Sequence, residues 1–266
     1  MLYFLENRLL FHPVRASEEW DPAPNPRVEE VSFQSTDGNR ICAWWCPTPG
    51  WSAEKGAMLY CYGNAGNLSG RGPAIANWQS HLDTSILIFD YPGYGRSEGR
   101  PSEAGCYAAA EAGYEWLITQ KHVSAERILL YGDSLGGGVA VNLANQRPHR
   151  ALILVRTFTS IPAAAKDVYP WLPTHWLMRN KFDNLAKIGD CRRPVFIAHG
   201  SHDRVVGFAH GKRLFESAAE PKRFLEMPGA DHNDALRPEF FTSLGAFLAE
   251  HPAGEPLRAP VTVRQN

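Results

Sequence analysis

The sequence predicts an α/β domain with a mostly parallel central sheet flanked by helices. Short apolar runs, bounded by glycine, proline or aspartate, alternate along most of the chain with segments that carry helical spacing. This alternation is typical of strand–helix–strand units, in which helices cover both faces of a parallel sheet. The 266 residues, of which 44% are hydrophobic, are enough for one large domain of this class.

The predicted strands and helices follow one another in a regular order. The sheet is expected to begin with Val28–Phe33 and Ile41–Cys46, two strands joined by a turn that contains Asp37-Gly38-Asn39. Later apolar runs predict strands at Ala57–Tyr62, Ser85–Tyr91, Arg127–Tyr131, Ala151–Arg156, Pro194–His199 and Phe224–Met227. Helical spacing predicts helices at Leu68–Leu82, Glu103–Gln120, Leu135–Gln146, Gly207–Ala218 and Glu239–Glu250. Ser102 is placed to be an N-cap.

Two segments depart from this alternation. Residues 158–190 combine three prolines with many large apolar side chains, and they are too long for a plain connection. We interpret this stretch as a short lid insertion over one end of the sheet and expect its aromatic side chains to form an apolar acyl pocket. The alternative is that they only pack the insertion onto the core. Residues 1–250 are therefore expected to form a single domain. Residues 251–266, rich in proline and polar side chains, are expected to be a flexible tail.

Composition narrows the classes of partner. The net charge is −1 at pH 7 and no stripe of lysine and arginine is present, which argues against a nucleic-acid partner. The five cysteines lack the spacing of a zinc site, so we expect reduced, buried thiols, as is usual in the cytoplasm. No metal or cofactor is expected. The sequence leaves the oligomeric state open.

The first residues, Met1–Pro13, are apolar but interrupted by Glu6, Asn7 and Arg8. They lack the unbroken apolar run and the cleavage site of a signal peptide. No stretch reaches the roughly 18 apolar residues of a transmembrane helix. The favoured interpretation is packing on the domain by Leu2, Phe4, Leu5, Leu9 and Leu10. Contact of this segment with a membrane surface is the open alternative.

The segment Gly132-Asp133-Ser134-Leu135-Gly136 matches the pattern G-x-S-x-G between a predicted strand and a predicted helix. A serine on such a tight turn is pushed into the open, and small neighbours are needed around it. The same turn leaves the Leu135 N–H at the positive end of the helix. Ser134 is therefore the candidate nucleophile, with a plain glycine-rich turn as the alternative.

A serine hydroxyl needs a base that removes its proton as it attacks. His232 lies in the loop after the last predicted strand, and parallel strands bring such loops to the edge of the sheet that carries Ser134. His199 ends the preceding predicted strand and His202 lies in the loop that follows it, so both are rivals. We expect His232 to be the general base, with His202 as the stronger rival.

An imidazole base also needs an acceptor that fixes its tautomer and stabilises its charge. Asp203 follows the next-to-last predicted strand and reaches the same edge. The alternative is that Asp203 pairs with Arg204 at the surface. Asp231 is expected to point away from the neighbouring histidine, and Asp133 to brace the turn of the candidate nucleophile.

The loop Gly63-Asn64-Ala65-Gly66-Asn67 is the candidate partner of Ser134 in binding an oxyanion. Its glycines allow the backbone to approach a substrate closely. Because an acyl-transfer intermediate needs at least two preorganised donors, we expect an oxyanion hole made by the N–H groups of Asn64 and Leu135, with Ala65 second to Asn64. A simple turn and a phosphate cradle are the alternatives, the latter with Arg71 as its nearby cation.

Taken together, these motifs resemble the α/β-hydrolase superfamily. The resemblance is carried by the two motifs around Asn64 and Ser134, by Asp90-Tyr91-Pro92-Gly93-Tyr94-Gly95-Arg96-Ser97, and by Asp203 and His232. It covers about residues 28–250. More narrowly, the chain is similar to an esterase/thioesterase-like branch that includes bacterial esterase-like proteins and abhydrolase-domain depalmitoylating proteins. That branch usually has a histidine where this chain has Tyr62.

The resemblance implies an α/β-hydrolase fold and cleavage of esters or thioesters through an acyl-enzyme, without cofactor or metal. We expect a serine esterase (a carboxylic ester hydrolase) that acts on small, uncharged esters with short or medium acyl chains. A thioesterase or protein depalmitoylase is the first alternative, and a non-catalytic binding protein with a hydrolase fold is the second. The Asp90–Ser97 turn is expected to be structural.

Overall fold

The computed structural model describes residues 2–254, with side chains from Glu6 onward. The strands are β1 (His12–Pro13), β2 (Glu29–Gln34), β3 (Arg40–Cys46), β4 (Ala57–Cys61), β5 (Ala65–Gly66), β6 (Ile86–Phe89), β7 (Ile128–Asp133), β8 (Ala151–Val155), β9 (Val195–Gly200) and β10 (Lys222–Met227). The helices are α1 (Leu2–Leu10), α2 (Gly72–Leu82), α3 (Glu103–Thr119), α4 (Leu135–Ala144), α5 (Ile161–Val168), α6 (Thr174–Leu177), α7 (Asn184–Ile188), α8 (Phe208–Ser217) and α9 (Pro238–Glu250). Of the predicted tail, residues 255–266 lie outside the described residues.

The central sheet has eight strands in the order β10-β9-β8-β7-β4-β6-β3-β2. Every pair of neighbours from β10 to β6 is parallel, whereas β3 pairs antiparallel with both β6 and β2. The mostly parallel sheet predicted from the sequence is therefore confirmed, and each predicted strand lies in it with small shifts of its ends.

Helices pack on both faces of this sheet. On one face α3, α4 and α8 cover the strands, and on the other α2 packs beside α9. Trp78 of α2 makes edge-to-face contacts with Tyr131 of β7 and with Phe240 of α9, and Phe240 in turn contacts Phe196 of β9. The central strands are buried along their whole length, as their continuous apolar runs require. Ser102 caps α3 by accepting from the Gly105 N–H, as predicted.

The N-terminal segment is attached to the insertion and to the core. The carboxylate of Glu6 accepts hydrogen bonds from the backbone N–H groups of Arg179 and Asn180, which lie within the insertion. Leu10 packs against the core, but the side chain of Leu9 is 70% exposed. The side chains of Leu2, Phe4 and Leu5 lie outside the described residues. Within residues 2–254, no helix has the length and apolar character that crossing a bilayer requires.

Glycine at position 136 allows α4 to begin directly against the end of β4. A Cβ atom added to Gly136 would lie 2.0 Å from the carbonyl oxygen of Cys61 and 2.7 Å from that of Tyr62. Both neighbours are backbone atoms of the sheet edge and its outgoing loop, so neither can move aside cheaply. This close approach sets the distance between the start of α4 and the loop that follows β4.

We predict that Gly136→Ala lowers the free energy of unfolding by about 3 kcal/mol, because the added methyl group overlaps the backbone at Cys61. Gly207→Ala is the matched control, since nothing lies within 4 Å of a Cβ atom at that position. The control should change stability by less than about 1 kcal/mol. Urea denaturation measures both. Equal stability of the two variants would show that α4 can move away from β4 at little cost.

Candidate active site

Ser134 occupies a strained turn between β7 and α4. Its backbone has φ 53° and ψ −118°, a conformation that residues other than glycine rarely adopt. The turn is fixed by hydrogen bonds from the Ser134 N–H to the Val155 carbonyl (3.0 Å) and from the Thr157 hydroxyl to the Ser134 carbonyl (2.8 Å). The serine side chain is thereby held at the carboxyl edge of the sheet.

The structure brings together the three side chains predicted to carry the chemistry. His232 Nε2 lies 3.0 Å from Ser134 Oγ, and His232 Nδ1 lies 2.7 Å from Asp203 Oδ2. Both His232 and Asp203 are buried, with 9% and 8% of their surfaces exposed. We call Ser134, His232 and Asp203 the candidate triad.

The carboxylate of Asp203 is surrounded by donors. Its Oδ1 accepts from the backbone N–H groups of Val205 (2.9 Å) and Val206 (2.8 Å). Burial acts to raise the pKa of Asp203, but contacts with two imidazoles and a backbone N–H hold it well below its usual range. Asp203 is therefore an anion that accepts from His232 Nδ1–H, which leaves Nε2 as an acceptor for the Ser134 hydroxyl.

The rival residues lie elsewhere. His202 is exposed, and His199 is fully buried behind Asp203. Arg204 pairs with Asp231, so the alternative in which Arg204 pairs with Asp203 is wrong. Asp231 also accepts from the backbone N–H groups of Arg204 and His232, which directs its carboxylate away from the imidazole as expected.

The loop after β4 lies beside the serine. A Cβ atom added to Gly63 would be 3.5 Å from Ser134 Cβ, and Asn64 borders the same cavity as the serine. The Asn64 carbonyl accepts from the His12 N–H (3.0 Å) and the Tyr94 hydroxyl (2.7 Å). Leu135, the other predicted donor, is the first residue of α4, where backbone N–H groups have no partner within the helix.

Tyr62 takes part in a buried network that supports this loop. Its hydroxyl donates to Asp90 Oδ1 at 2.7 Å, and the Leu68 N–H donates to the same oxygen at 2.7 Å. The Tyr91 hydroxyl donates to the Tyr62 carbonyl at 2.6 Å. Because Asp90, Tyr91 and Tyr94 all belong to the Asp90–Ser97 turn, that turn holds both ends of the loop from position 62 to position 68.

A buried ion pair that the sequence analysis missed connects the serine turn to the histidine loop. Arg156 Nη2 lies 2.9 Å from Asp133 Oδ2, and Arg156 Nη1 donates to the Asp234 carbonyl at 2.6 Å. Arg156 is only 7% exposed. The available signal was an arginine at the end of the apolar run Ala151–Arg156, because a buried cation needs an anionic partner.

A cavity of about 850 Å³ opens beside Ser134 and His232. Tyr60, Trp78 and Tyr131 supply aromatic walls, and Asn64, Asn77 and Asn233 supply polar ones. Its walls come from the loop after β4, from α2 and from residues 232–236, rather than from the insertion. The expectation that lid aromatics enclose this pocket is therefore wrong. The side chains of Trp171 and Trp176 are 78% and 87% exposed.

Comparison with known proteins places this geometry in a family. A family model described as alpha/beta hydrolase fold matches residues 56–183. Uncharacterized protein Rv2307c of Mycobacterium tuberculosis is 40% identical over 230 residues, which cover 86% of this chain and 81% of that protein. Alpha/beta hydrolase domain-containing protein 17B of Xenopus laevis is 31% identical over 240 residues, covering 89% of this chain and 80% of that protein. The chain belongs to the α/β-hydrolase superfamily.

Solved structures share this α/β-hydrolase fold at low sequence identity. The Pyrococcus furiosus esterase Pf2001 has a TM-score of 0.71 and 17% identity, covering 91% of this chain and 97% of that structure. An acetyl xylan esterase from Paenibacillus sp. R4 has a TM-score of 0.70 and 18% identity, covering 86% of each chain. The predicted fold and the predicted family resemblance are thus confirmed.

We predict that the free energy of unfolding of Asp90→Asn increases relative to that of wild type as the pH rises from about 4.5 to 7.5. Burial raises the pKa of Asp90 to about 6, so the folded protein keeps this proton where the unfolded chain has lost it. The contribution of Asp90 to wild-type stability therefore falls between about pH 4 and 6, and its full penalty applies above that range. Asparagine keeps an oxygen for the Tyr62 and Leu68 donors but carries no charge.

Urea denaturation across this pH range measures the difference in unfolding free energy between Asp90→Asn and wild type. We expect it to change by about 2–3 kcal/mol in favour of the variant. A difference independent of pH would contradict the assignment, because it would mean that Asp90 loses its proton over the same range in the folded and unfolded states.

Proposed function

We propose that the protein is a serine hydrolase that cleaves carboxylic esters through an acyl-enzyme intermediate. The observation that carries this proposal is the continuous contact from Ser134 Oγ to His232 Nε2 (3.0 Å) and from His232 Nδ1 to Asp203 Oδ2 (2.7 Å). Membership of the α/β-hydrolase superfamily supports it. In this proposal Ser134 is the nucleophile, His232 the general base and Asp203 the orienting acid.

The first half of the reaction forms the acyl-enzyme. His232 Nε2 takes the proton of Ser134 as its oxygen attacks the carbonyl carbon of the ester. The negative charge that develops on the carbonyl oxygen is stabilised by the N–H groups of Leu135 and Asn64, the candidate oxyanion hole. When the tetrahedral intermediate collapses, the carbon–oxygen bond to the alcohol breaks and His232 donates its proton to the departing alkoxide.

The second half returns the enzyme to its starting state. His232 Nε2 removes a proton from water as the water oxygen attacks the acyl carbon. The bond to Ser134 Oγ then breaks, and the serine oxygen recovers the proton from His232. The product acid leaves, and no cofactor or metal takes part in any of these steps.

The cavity beside Ser134 supports a small, uncharged substrate. Its volume of about 850 Å³ lies within the range of small-molecule pockets. The charged side chains of Asp133 and Arg156 in its lining are paired with each other, so they do not call for a charged group on the substrate. The apolar part of its lining with accessible surface includes Pro73, Ala74 and Leu236, which favours contact with an acyl chain of short or medium length.

The proposed setting is the cytoplasm, with a small ester or thioester as partner rather than nucleic acid. The cysteines are unpaired, which suits a reducing compartment: Cys42, Cys46, Cys61, Cys106 and Cys191. The net charge of −1 provides no electrostatic attraction for a polyanion.

We predict that Ser134→Ala folds normally and loses ester hydrolysis by about 10⁴-fold or more, because the nucleophile is absent. A fluorophosphonate probe should label the wild type at Ser134 and leave the variant unlabelled. Ser124→Ala, which changes an exposed serine at the opposite end of β7, is the control and should match wild type in both assays. Wild-type activity in Ser134→Ala would show that Ser134 is not the nucleophile. An unlabelled, inactive wild type would instead favour the non-catalytic binding protein.

We predict that hydrolysis of uncharged p-nitrophenyl esters is fastest for chains between acetate and octanoate, because a cavity of about 850 Å³ has room for an acyl chain of this size. The ratio kcat/KM for each chain length is the measurement. Matched thioesters with the same acyl groups separate the esterase from the thioesterase. Preference for a charged acid, or for chains much longer than octanoate, would contradict the substrate class.

A further inference from the structure

A second histidine contacts the carboxylate of the candidate triad. His199 lies in β9, and its side chain is fully buried. Its Nε2 is 2.8 Å from the Val206 carbonyl oxygen and 3.4 Å from Asp203 Oδ2. The ring is also packed closely from α8, because a Cβ atom added to Gly211 would lie 2.5 Å from His199 Nδ1. His199 therefore has little freedom to move.

The surroundings of the His199 ring determine which of its two nitrogens donates a hydrogen bond. Both atoms that face His199 Nε2, a carbonyl oxygen and a carboxylate oxygen, are acceptors, so Nε2 carries the proton. The Nδ1 atom is buried and has no hydrogen-bond partner in the described part of the chain. A second proton there would leave a buried donor unsatisfied. His199 thus donates from Nε2 to the loop that carries Asp203, whereas His232 Nε2 faces the serine.

Few other titratable groups act on the His199 ring. Apart from Asp203, His210 on α8 interacts with it electrostatically. His210 Nδ1 accepts from the Thr159 N–H at 3.2 Å, and its Nε2 lies 2.9 Å from Asp167. On β10 the residue in register with His199 is the exposed Glu226. The direct polar contacts of His199 therefore remain those with the loop that carries Asp203.

We propose that His199 is a positioning residue for the reaction, one that anchors Asp203 through the oxygen that also faces His232 and through the turn that follows Asp203. This inference rests on the proposed function of Ser134. The hydrogen bond to the Val206 carbonyl closes the turn from 203 to 206, whose N–H groups hold Asp203 Oδ1. The longer contact at 3.4 Å limits the swing of Oδ2, the oxygen that His232 uses.

Loss of the His199 donor has two consequences that differ from simple loss of packing. Asp203 is less firmly held, so His232 spends less time aligned with Ser134 and kcat falls. At the same time Asp203 Oδ2 keeps more of its negative charge for His232, which stabilises the imidazolium. The acid limb of the pH profile of kcat/KM therefore moves to higher pH.

The test compares His199→Gln with His199→Met. The amide nitrogen of glutamine is as many bonds from Cα as imidazole Nε2, so it can donate to the Val206 carbonyl, whereas methionine has similar length and no donor. For His199→Met we expect kcat about tenfold lower, KM within about twofold, and the acid limb about half a pH unit higher. His199→Gln should stay within about threefold of wild type and keep its pH profile.

Two outcomes would overturn the proposal. One is a His199→Met variant with wild-type kcat. The other is equal loss of kcat in both variants with the acid limb unmoved, which indicates packing alone. If His199→Met does not fold, His199→Asn replaces it, because its amide is one bond too short to reach the carbonyl and the same results are expected.

A spectroscopic measurement separates failure of this proposal from failure of the proposed function. Because His232 Nδ1 and Asp203 Oδ2 are only 2.7 Å apart, we expect the proton between them to give a strongly downfield ¹H resonance in the resting protein, whether or not an ester is hydrolysed. We expect His199→Met to move or broaden this resonance and His199→Gln to leave it near its wild-type position. An unlabelled, inactive wild type would refute the ester hydrolase. An unchanged resonance in His199→Met would refute the role of His199.

Discussion

The backbone of Ser134 is the constraint on which the site depends. A non-glycine residue at φ 53° is unfavourable, so the conformation persists only because the surrounding structure leaves no alternative. Hydrogen bonds to Val155 and from Thr157 fix it on one side, and the close approach of Gly136 to Cys61 fixes it on the other. With the turn held in this way, the Ser134 hydroxyl and the start of α4 face one cavity.

Two buried networks of polar side chains join the Ser134 turn to the loops around it. On the side of α2, the Asp90–Ser97 turn holds the loop after β4 through tyrosine hydroxyls and the Asp90 carboxylate. Towards the histidine loop, Arg156 bridges Asp133 and the Asp234 carbonyl. Both networks are buried, where hydrogen bonds and ion pairs are stronger than in water and hold the attached backbone firmly. The two networks hold the loop after β4 and the histidine loop in place. The candidate oxyanion donor at Asn64 and the base His232 therefore approach the serine from fixed directions.

The sequence was sufficient to predict the elements that obey local rules. The apolar runs predicted the strands, and the G-x-S-x-G turn predicted Ser134 as the candidate nucleophile. The loops after the last two strands predicted Asp203 and His232 as its candidate partners. Long-range pairing could not be predicted in the same way. Nothing near Arg156 in the sequence indicates that Asp133 is its partner. The aromatic residues of the insertion were predicted to line the cavity, but its walls come from other segments. Apolar character alone does not say which surface a segment covers.

Tyr62 shows how a departure from the family pattern can still support the same loop. Burial raises the pKa of the Tyr62 phenol well above 10, so its hydroxyl remains a donor at neutral pH. Its acceptor, Asp90, is the member of the pair that titrates, with a pKa of about 6. Asp90 Oδ1 can accept in either protonation state, since a carboxylic acid keeps an acceptor oxygen. Protonation of Asp90 therefore changes the stability of the fold more than the support of the loop at Asn64.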